Sequence, residues 1–162
     1  MNLVMGMENT IFRFAELRVK KDLKQWQIAR MLNVKANTYS KWEKGINDIT
    51  LEKLNELANF YHVSLDYFVG ISENSKEVPK RKINLDLMRK RLRLLRRENH
   101  MSQSLLSKKT GFAQTTYSSF ETGARTPTAF KLFHLCQFYQ VSFDYLTGRT
   151  DKKERELKTV VH

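Results

Sequence analysis

The sequence predicts an all-α protein built from two tandem five-helix units. Three observations predict it. The first is a repeat. TYSKWEKG at Thr38–Gly45 returns as TYSSFETG at Thr116–Gly123, an offset of 78 residues from Tyr39 to Tyr117. The second is composition. Gly 6 and Pro 2 among 162 residues, with Leu, Lys, Arg and Glu abundant, favour short helices joined by tight turns. The third is apolar spacing of the helical kind in both copies.

At the same offset Leu17/Leu95, Arg18/Arg96, Gln25/Gln103, Glu43/Glu121, Gly45/Gly123, Thr50/Thr128, Leu54/Leu132, Leu57/Leu135 and Phe60/Phe138 are identical. YHVSLDYFVG at Tyr61–Gly70 matches YQVSFDYLTG at Tyr139–Gly148. Matches at a fixed offset without gaps mean a duplicated unit. The expected division is 8–70, a linker at 71–84, 85–149, and a charged tail at 150–162. Met1–Asn9 reads as a short leader, with Met5 and Met7 leaving the start open.

In the first unit Phe14 and Leu17 give helix one its apolar face, and Ile28, Ala29 and Leu32 do so for helix two. Asn33-Val34-Lys35 is the turn. Helix three runs near Ala36–Lys44 and stops at Gly45, a left-handed capping residue. Thr50 caps helix four, whose apolar positions are Leu51, Leu54, Leu57, Ala58 and Tyr61. Ser64 caps helix five, and Asp66 lies in its first turn, where the helix dipole favours an acid. Val63 with Phe68, and Val141 with Leu146, form hydrophobic staples. ISENSKEVPKRKIN, at 71–84, reads as the linker, and DKKERELKTVVH, at 151–162, as a frayed tail or a short helix.

Charge limits the partners. The chain carries 29 Lys+Arg against 17 Asp+Glu, a formal net charge of +12. Such an excess attracts polyanions, nucleic acid above all. It is uneven: residues 1–76 have a net charge of +2 and residues 77–162 one of +10. No apolar run approaches the ~18–20 residues of a spanning helix, and the start has no secretory pattern. One cysteine, Cys136, allows no intramolecular disulfide and suits a reducing cytoplasm.

Two short helices joined by a three-residue turn, with the second ending aromatic–Glu–x–Gly, form a helix-turn-helix. LKQWQIARMLNVKANTYSKWEKG (Leu23–Gly45) with VSLDYFVG, and MSQSLLSKKTGFAQTTYSSFETG (Met101–Gly123) with VSFDYLTG, resemble the phage-repressor-like (XRE-type) helix-turn-helix family. The resemblance covers both units and implies two lambda-repressor-like domains that bind double-stranded DNA. The second unit departs from the pattern at Ser107, a position usually alanine, and at Thr110, one usually aliphatic. The family also implies that Arg18 bridges to Glu43, and Arg96 to Glu121, as fold-locking ion pairs between helices one and three. Tyr39, Trp42, Tyr117 and Phe120 are expected in the core rather than on nucleic acid.

By position on the recognition helix, the base readers are Lys35, Ala36, Asn37 and Lys41 in the first unit, and Ala113, Gln114, Thr115 and Ser119 in the second. Asn and Gln pair with adenine, Lys donates to guanine, and Ala or Thr methyls touch the thymine methyl. Gln25 and Gln103 open helix two, where the resemblance implies support of a phosphate contact. Lys44 and Arg125 flank the third helix as further phosphate contacts.

Recognition helices of this kind act in pairs one DNA turn apart, ~34–36 Å. A linker of this length reaches at most ~45–50 Å when extended. The units can therefore pair within one chain, or the chain can form a homodimer with four units. Phe130 and Phe133 replace Glu52 and Asn55 of the first unit and mark an interface. The stripe Arg89, Lys90, Arg91, Arg93 and Arg97, beside Lys80, Arg81 and Lys82, reads either as a solvated face or as phosphate attraction.

No enzyme is expected. His62, His100, His134 and His162 are scattered, with no metal-ligand spacing, phosphate loop or nucleophile motif, so neither a cofactor nor a small-molecule site is expected. The function expected is a sequence-specific DNA-binding transcriptional regulator, a repressor. The alternative is an antitoxin-type or interaction protein whose second unit docks a partner instead of reading DNA.

Overall fold

All ten left-handed backbone positions among the described residues form five pairs at the repeat offset. Asp22 and His100, Asn33 and Gly111, Gly45 and Gly123, His62 and Gln140, and Gly70 and Gly148 have φ between 52° and 81°. This region is costly for a residue with a Cβ, so its recurrence marks the same turns in both halves. Asn33 and Gly111 occupy the turn before the third helix of each unit. Glycine enters that region freely, and asparagine does so with help from its short polar side chain.

The computed structural model describes residues 12–156. The expected leader Met1–Asn9 and the end of the tail, 157–162, lie outside them. The first unit contains α1 (Phe14–Lys20), α2 (Gln25–Met31), α3 (Ala36–Glu43), α4 (Leu51–Tyr61) and α5 (Leu65–Phe68). The second contains α6 (Leu85–Glu98), α7 (Gln103–Thr110), α8 (Gln114–Thr122), α9 (Ala129–Tyr139) and α10 (Phe143–Leu146). The described residues include no strand.

Each core is built on the fourth helix. Leu54, Leu57 and Ala58 of α4 are wholly buried, as are Leu132, Leu135 and Cys136 of α9. Tyr39 and Trp42 anchor α3 from inside; the Phe14 ring meets Tyr39 edge-on at 6.1 Å and Phe68 at 5.1 Å. Tyr117 and Phe120 anchor α8 likewise. A fully buried side chain of this size stabilises by about 1.5–3 kcal/mol. The hydroxyls of Thr50, Ser64, Ser102 and Ser142 accept from backbone N–H groups two or three positions into their helices.

The departures in α7 are absorbed locally. Ser107 Oγ donates to the Phe112 carbonyl at 2.6 Å, and Thr110 Oγ1 to the Leu106 carbonyl at 2.8 Å. Both polar groups are satisfied without a long-range partner. The cost is apolar burial: α7 buries Leu106 alone, where α2 buries Ile28 and Ala29.

The two units touch directly, and three segments make contacts that the sequence did not show. Asp66 lies in the first turn of its own helix, as expected. Its carboxylate crosses to the N-terminus of α10, accepting from Phe143 N at 2.6 Å and Ser142 Oγ at 2.5 Å. In return Asp144 Oδ2 accepts from Asp66 N at 2.9 Å. The two helix starts face each other, so each acid meets the dipole of the other helix. Burial first, and then the neighbouring Asp144, push the Asp66 carboxyl up to about 6. Nearby, α9 is capped from the first unit: Ala129 N donates to the Ile49 carbonyl at 3.0 Å, and Phe130 N to Asp48 Oδ1 at 3.0 Å. Thr128, at the N-cap of α9, makes no side-chain capping bond.

The second is the segment 71–84, the expected linker, which is docked. Val78 N donates to the His62 carbonyl, Arg81 N to Asn59 Oδ1 at 3.0 Å, and Asn55 and Asn59 hold the Arg81 carbonyl. Side-chain amides supply the partners that an extended strap lacks. The third is the tail, which over 151–156 is neither helical nor frayed: Ser142 N donates to the Lys153 carbonyl, and Arg155 bonds the carbonyls of Val141 and Cys136.

Candidate nucleic-acid interface

The third helix of each unit exposes one side because its aromatics occupy the other. Tyr39 and Trp42, three apart, point inward, so the opposite positions point out. Lys35, Ala36 and Asn37 are exposed, and Lys41 is half-buried one turn later. In the second unit Ala113, Gln114 and Thr115 are exposed and Ser119 is half-buried. Ser119 Oγ also donates to the Thr116 carbonyl of its own helix at 2.6 Å. The Lys44 and Arg125 side chains are exposed beside their helices.

The acid that ends each of these helices is neutralised inside the protein. Arg18 Nη2 donates to Glu43 Oε1 at 2.7 Å, and its Nε to Oε2 at 3.0 Å. Its remaining nitrogen reaches the Leu23 carbonyl at 2.8 Å. The second unit repeats this: Arg96 to Glu121 at 2.6 and 3.0 Å, and Arg96 to the Met101 carbonyl at 3.0 Å. Burial alone would raise both carboxyls. Hydrogen bonds from Arg18 and Gln25, and from Arg96 and Gln103, reverse this and hold them below their usual range.

Gln25 and Gln103 are the first residues of α2 and α7, but their amides face inward. Gln103 Nε2 donates to Glu121 Oε2 at 3.1 Å. The glutamines therefore brace the ion pairs, which leaves the helix starts beside them exposed.

The stripe on α6 divides, and Arg91 is corrected. Its side chain is buried, lying over the Tyr145 ring at 4.0 Å and donating to the carbonyls of Tyr145 and Thr150 and to Asp151. It faces inward because α10 and the residues after it present the carbonyls of Tyr145 and Thr150 there. Lys90, Arg93 and Arg97 remain exposed. Arg89 pairs with Asp86 and packs across Gly123, where any Cβ would collide with its guanidinium.

Phe130 and Phe133 both face the first unit. Phe133 meets the Phe12 ring edge-on at 5.7 Å, and Phe130 borders a cleft shared with Phe14 and Trp42. Sequence reasoning missed Asp48. An acid where the second copy has Thr126, with no local partner, was the available signal.

Among the described residues no helix is long and apolar enough to cross a membrane, and no cluster of His, Cys, Asp and Glu could hold a metal ion. A helix-turn-helix family model matches the chain twice, at residues 14–68 and 92–146. The chain therefore belongs to the helix-turn-helix proteins of the phage-repressor-like (XRE) type, in two tandem copies. It is similar to the uncharacterized HTH-type transcriptional regulator YobD of Bacillus subtilis (strain 168), 34% identical over 68 residues, which are 42% of this chain and 61% of that protein. The cryptic phage CTXphi transcriptional repressor RstR of Vibrio cholerae is 39% identical over 74 residues, 45% of this chain and 67% of RstR. The HTH-type transcriptional regulator ImmR of Bacillus subtilis (strain 168) is 37% identical over 65 residues, 40% of this chain and 51% of ImmR. The chain thus spans about three fifths of YobD and half of ImmR. No solved structure matches it.

Proposed function

We propose that the protein is a sequence-specific double-stranded DNA-binding transcriptional repressor in which α3 and α8 enter the major groove. Lys35, Ala36, Asn37 and Lys41 read one half-site; Ala113, Gln114, Thr115 and Ser119 read the other. One observation carries the reading: the first-turn side chains of both helices are exposed, while the acid of each helix is bonded within the protein. The carboxylate of each helix is thus kept from opposing phosphates, and the chain as a whole carries a net charge of +12. The names of RstR, ImmR and YobD as transcriptional regulators or repressors support the same reading. Repression would follow from occupying an operator and excluding polymerase.

The pairing proposed is intramolecular. Asp66 and Asp144 contact each other's units reciprocally, as equivalent residues do across a two-fold interface. The units carry different readers, so one chain should prefer two unlike half-sites. Phe133 packs against Phe12 of the first unit, which weakens the docking alternative. Selection of duplexes from a random pool, with the mass of the complex, tests this. The expected result is one chain on a site with two unlike halves. A true palindrome bound by two chains would overturn the pairing, and absence of any enriched sequence would overturn the function.

A further inference from the structure

We propose that the cleft between the units, at the C-terminal end of α3, binds a small organic cation with one aromatic ring. The cleft holds about 210 Å³, smaller than a drug-sized site of ~300–1,000 Å³ and suited to one ring. Phe12, Phe14 and Trp42 line it from the first unit and Phe130 from the second, with Glu43 and Asp48 on the polar side. Phe130 has no aromatic counterpart, because Glu52 stands at its position in the first unit. The aromatic box thus forms only where the two units meet.

Three features make this cleft electronegative inside a chain of net charge +12. Aromatic faces carry negative quadrupoles that attract cations. The C-terminal end of α3, whose dipole carries a partial negative charge, borders the cleft through Glu43, Lys44 and Gly45. Asp48 brings a carboxylate held in place by the Phe130 backbone N–H. Lys44 is the cationic residue of the lining, and its side chain is exposed. An aromatic amidine or amine satisfies all three features, its ring against the box and its charged head towards Asp48. A carboxylate or phosphate would meet repulsion.

The test uses the full chain carrying Trp26→Phe, which leaves Trp42 as its one indole. Benzamidine, neutral benzamide and benzoate are titrated against Trp42 emission and two-dimensional amide spectra. Benzamidine should bind saturably, about tenfold more tightly than benzamide, the worth of one cation–π or charge-assisted contact. Benzoate should give no response. Asp48→Asn and, separately, Phe130→Leu should each weaken benzamidine about tenfold. Phe130→Leu keeps the interface apolar, so it decides the matter if Asp48→Asn fails to fold. Equal affinity for benzamidine and benzamide, no saturable response in the millimolar range, or unchanged binding in Phe130→Leu would overturn the proposal. The readout needs no DNA, so its failure leaves the operator reading untouched.

Discussion

The two units spend the same scaffold differently. The first buries more of its second helix, carries little net charge and presents Lys35, Asn37 and Lys41 on its recognition helix. The second has a first helix of 14 residues against 7, leaves α7 with one buried apolar residue, and presents uncharged side chains at the matching positions. Yet the Arg–Glu–Gln brace and the left-handed turns are kept in both. The comparison separates what holds the third helix in place, the brace, from the exposed first turn that is proposed to read DNA.

The largest expected effect breaks the brace. Glu121→Ala leaves Arg96 with an unpaired charge, and removing one partner of a buried pair costs about 3–5 kcal/mol. Glu43→Ala should cost less, because the Glu43 side chain is 10% exposed against 2% for Glu121. Urea denaturation of both variants checks this, and equal losses would mean that the two braces are interchangeable.

Next come the readers. Replacing Lys35 and Asn37 by Ala should remove about 1–3 kcal/mol of discrimination per lost base contact at one half-site. Replacing Gln114 and Thr115 should do so at the other half alone. Binding curves on operators altered one half at a time distinguish the two. If the second pair changes nothing, α8 does not read bases.

A pH profile sharpens the contrast between braces and unit junction. Asp66 sits at about 6, above the usual carboxylate range, so the folded protein binds its proton more tightly than the unfolded chain. Its contribution to stability is full at acid pH, below the unfolded value, and is lost as pH rises through about 6. Glu43 and Glu121, held low, act in the opposite sense and lose their contribution as pH falls through their lowered values. Asp66→Asn should flatten the profile between about pH 4 and 6 by up to about 3 kcal/mol. A thermal-melting series over that range measures it.

The smallest expected effect lies within α6. Lys90→Ala should change stability by less than about 0.5 kcal/mol, whereas Arg91→Ala removes a guanidinium bonded to two carbonyls and should cost about 1–3 kcal/mol. Chemical denaturation separates them.

These residues also show what was legible in the sequence. The helices and their order followed from apolar spacing at Leu54, Leu57 and Ala58 and from cap letters such as Ser64, because local forces determine them. The exposure of the proposed reader positions followed from the inward placing of Tyr39 and Trp42. The meeting of the units did not. Asp66 satisfies a local rule for helix starts, and nothing near it reveals a partner 78 residues on. Arg91 looked like its neighbours because charge alone does not tell an inward guanidinium from an outward one. Only the carbonyls of Tyr145 and Thr150, supplied by the fold, distinguish it.

The mutual capping of Asp66 and Asp144 has a consequence for dosage. Separate subunits must find each other first, so occupancy of their target rises with the square of concentration and switches sharply. On the proposed pairing within one chain, both heads would arrive as one piece, and the response would follow the first power and be graded. A change in α3 would then alter one half of the target alone, leaving each head free to drift without dragging the other.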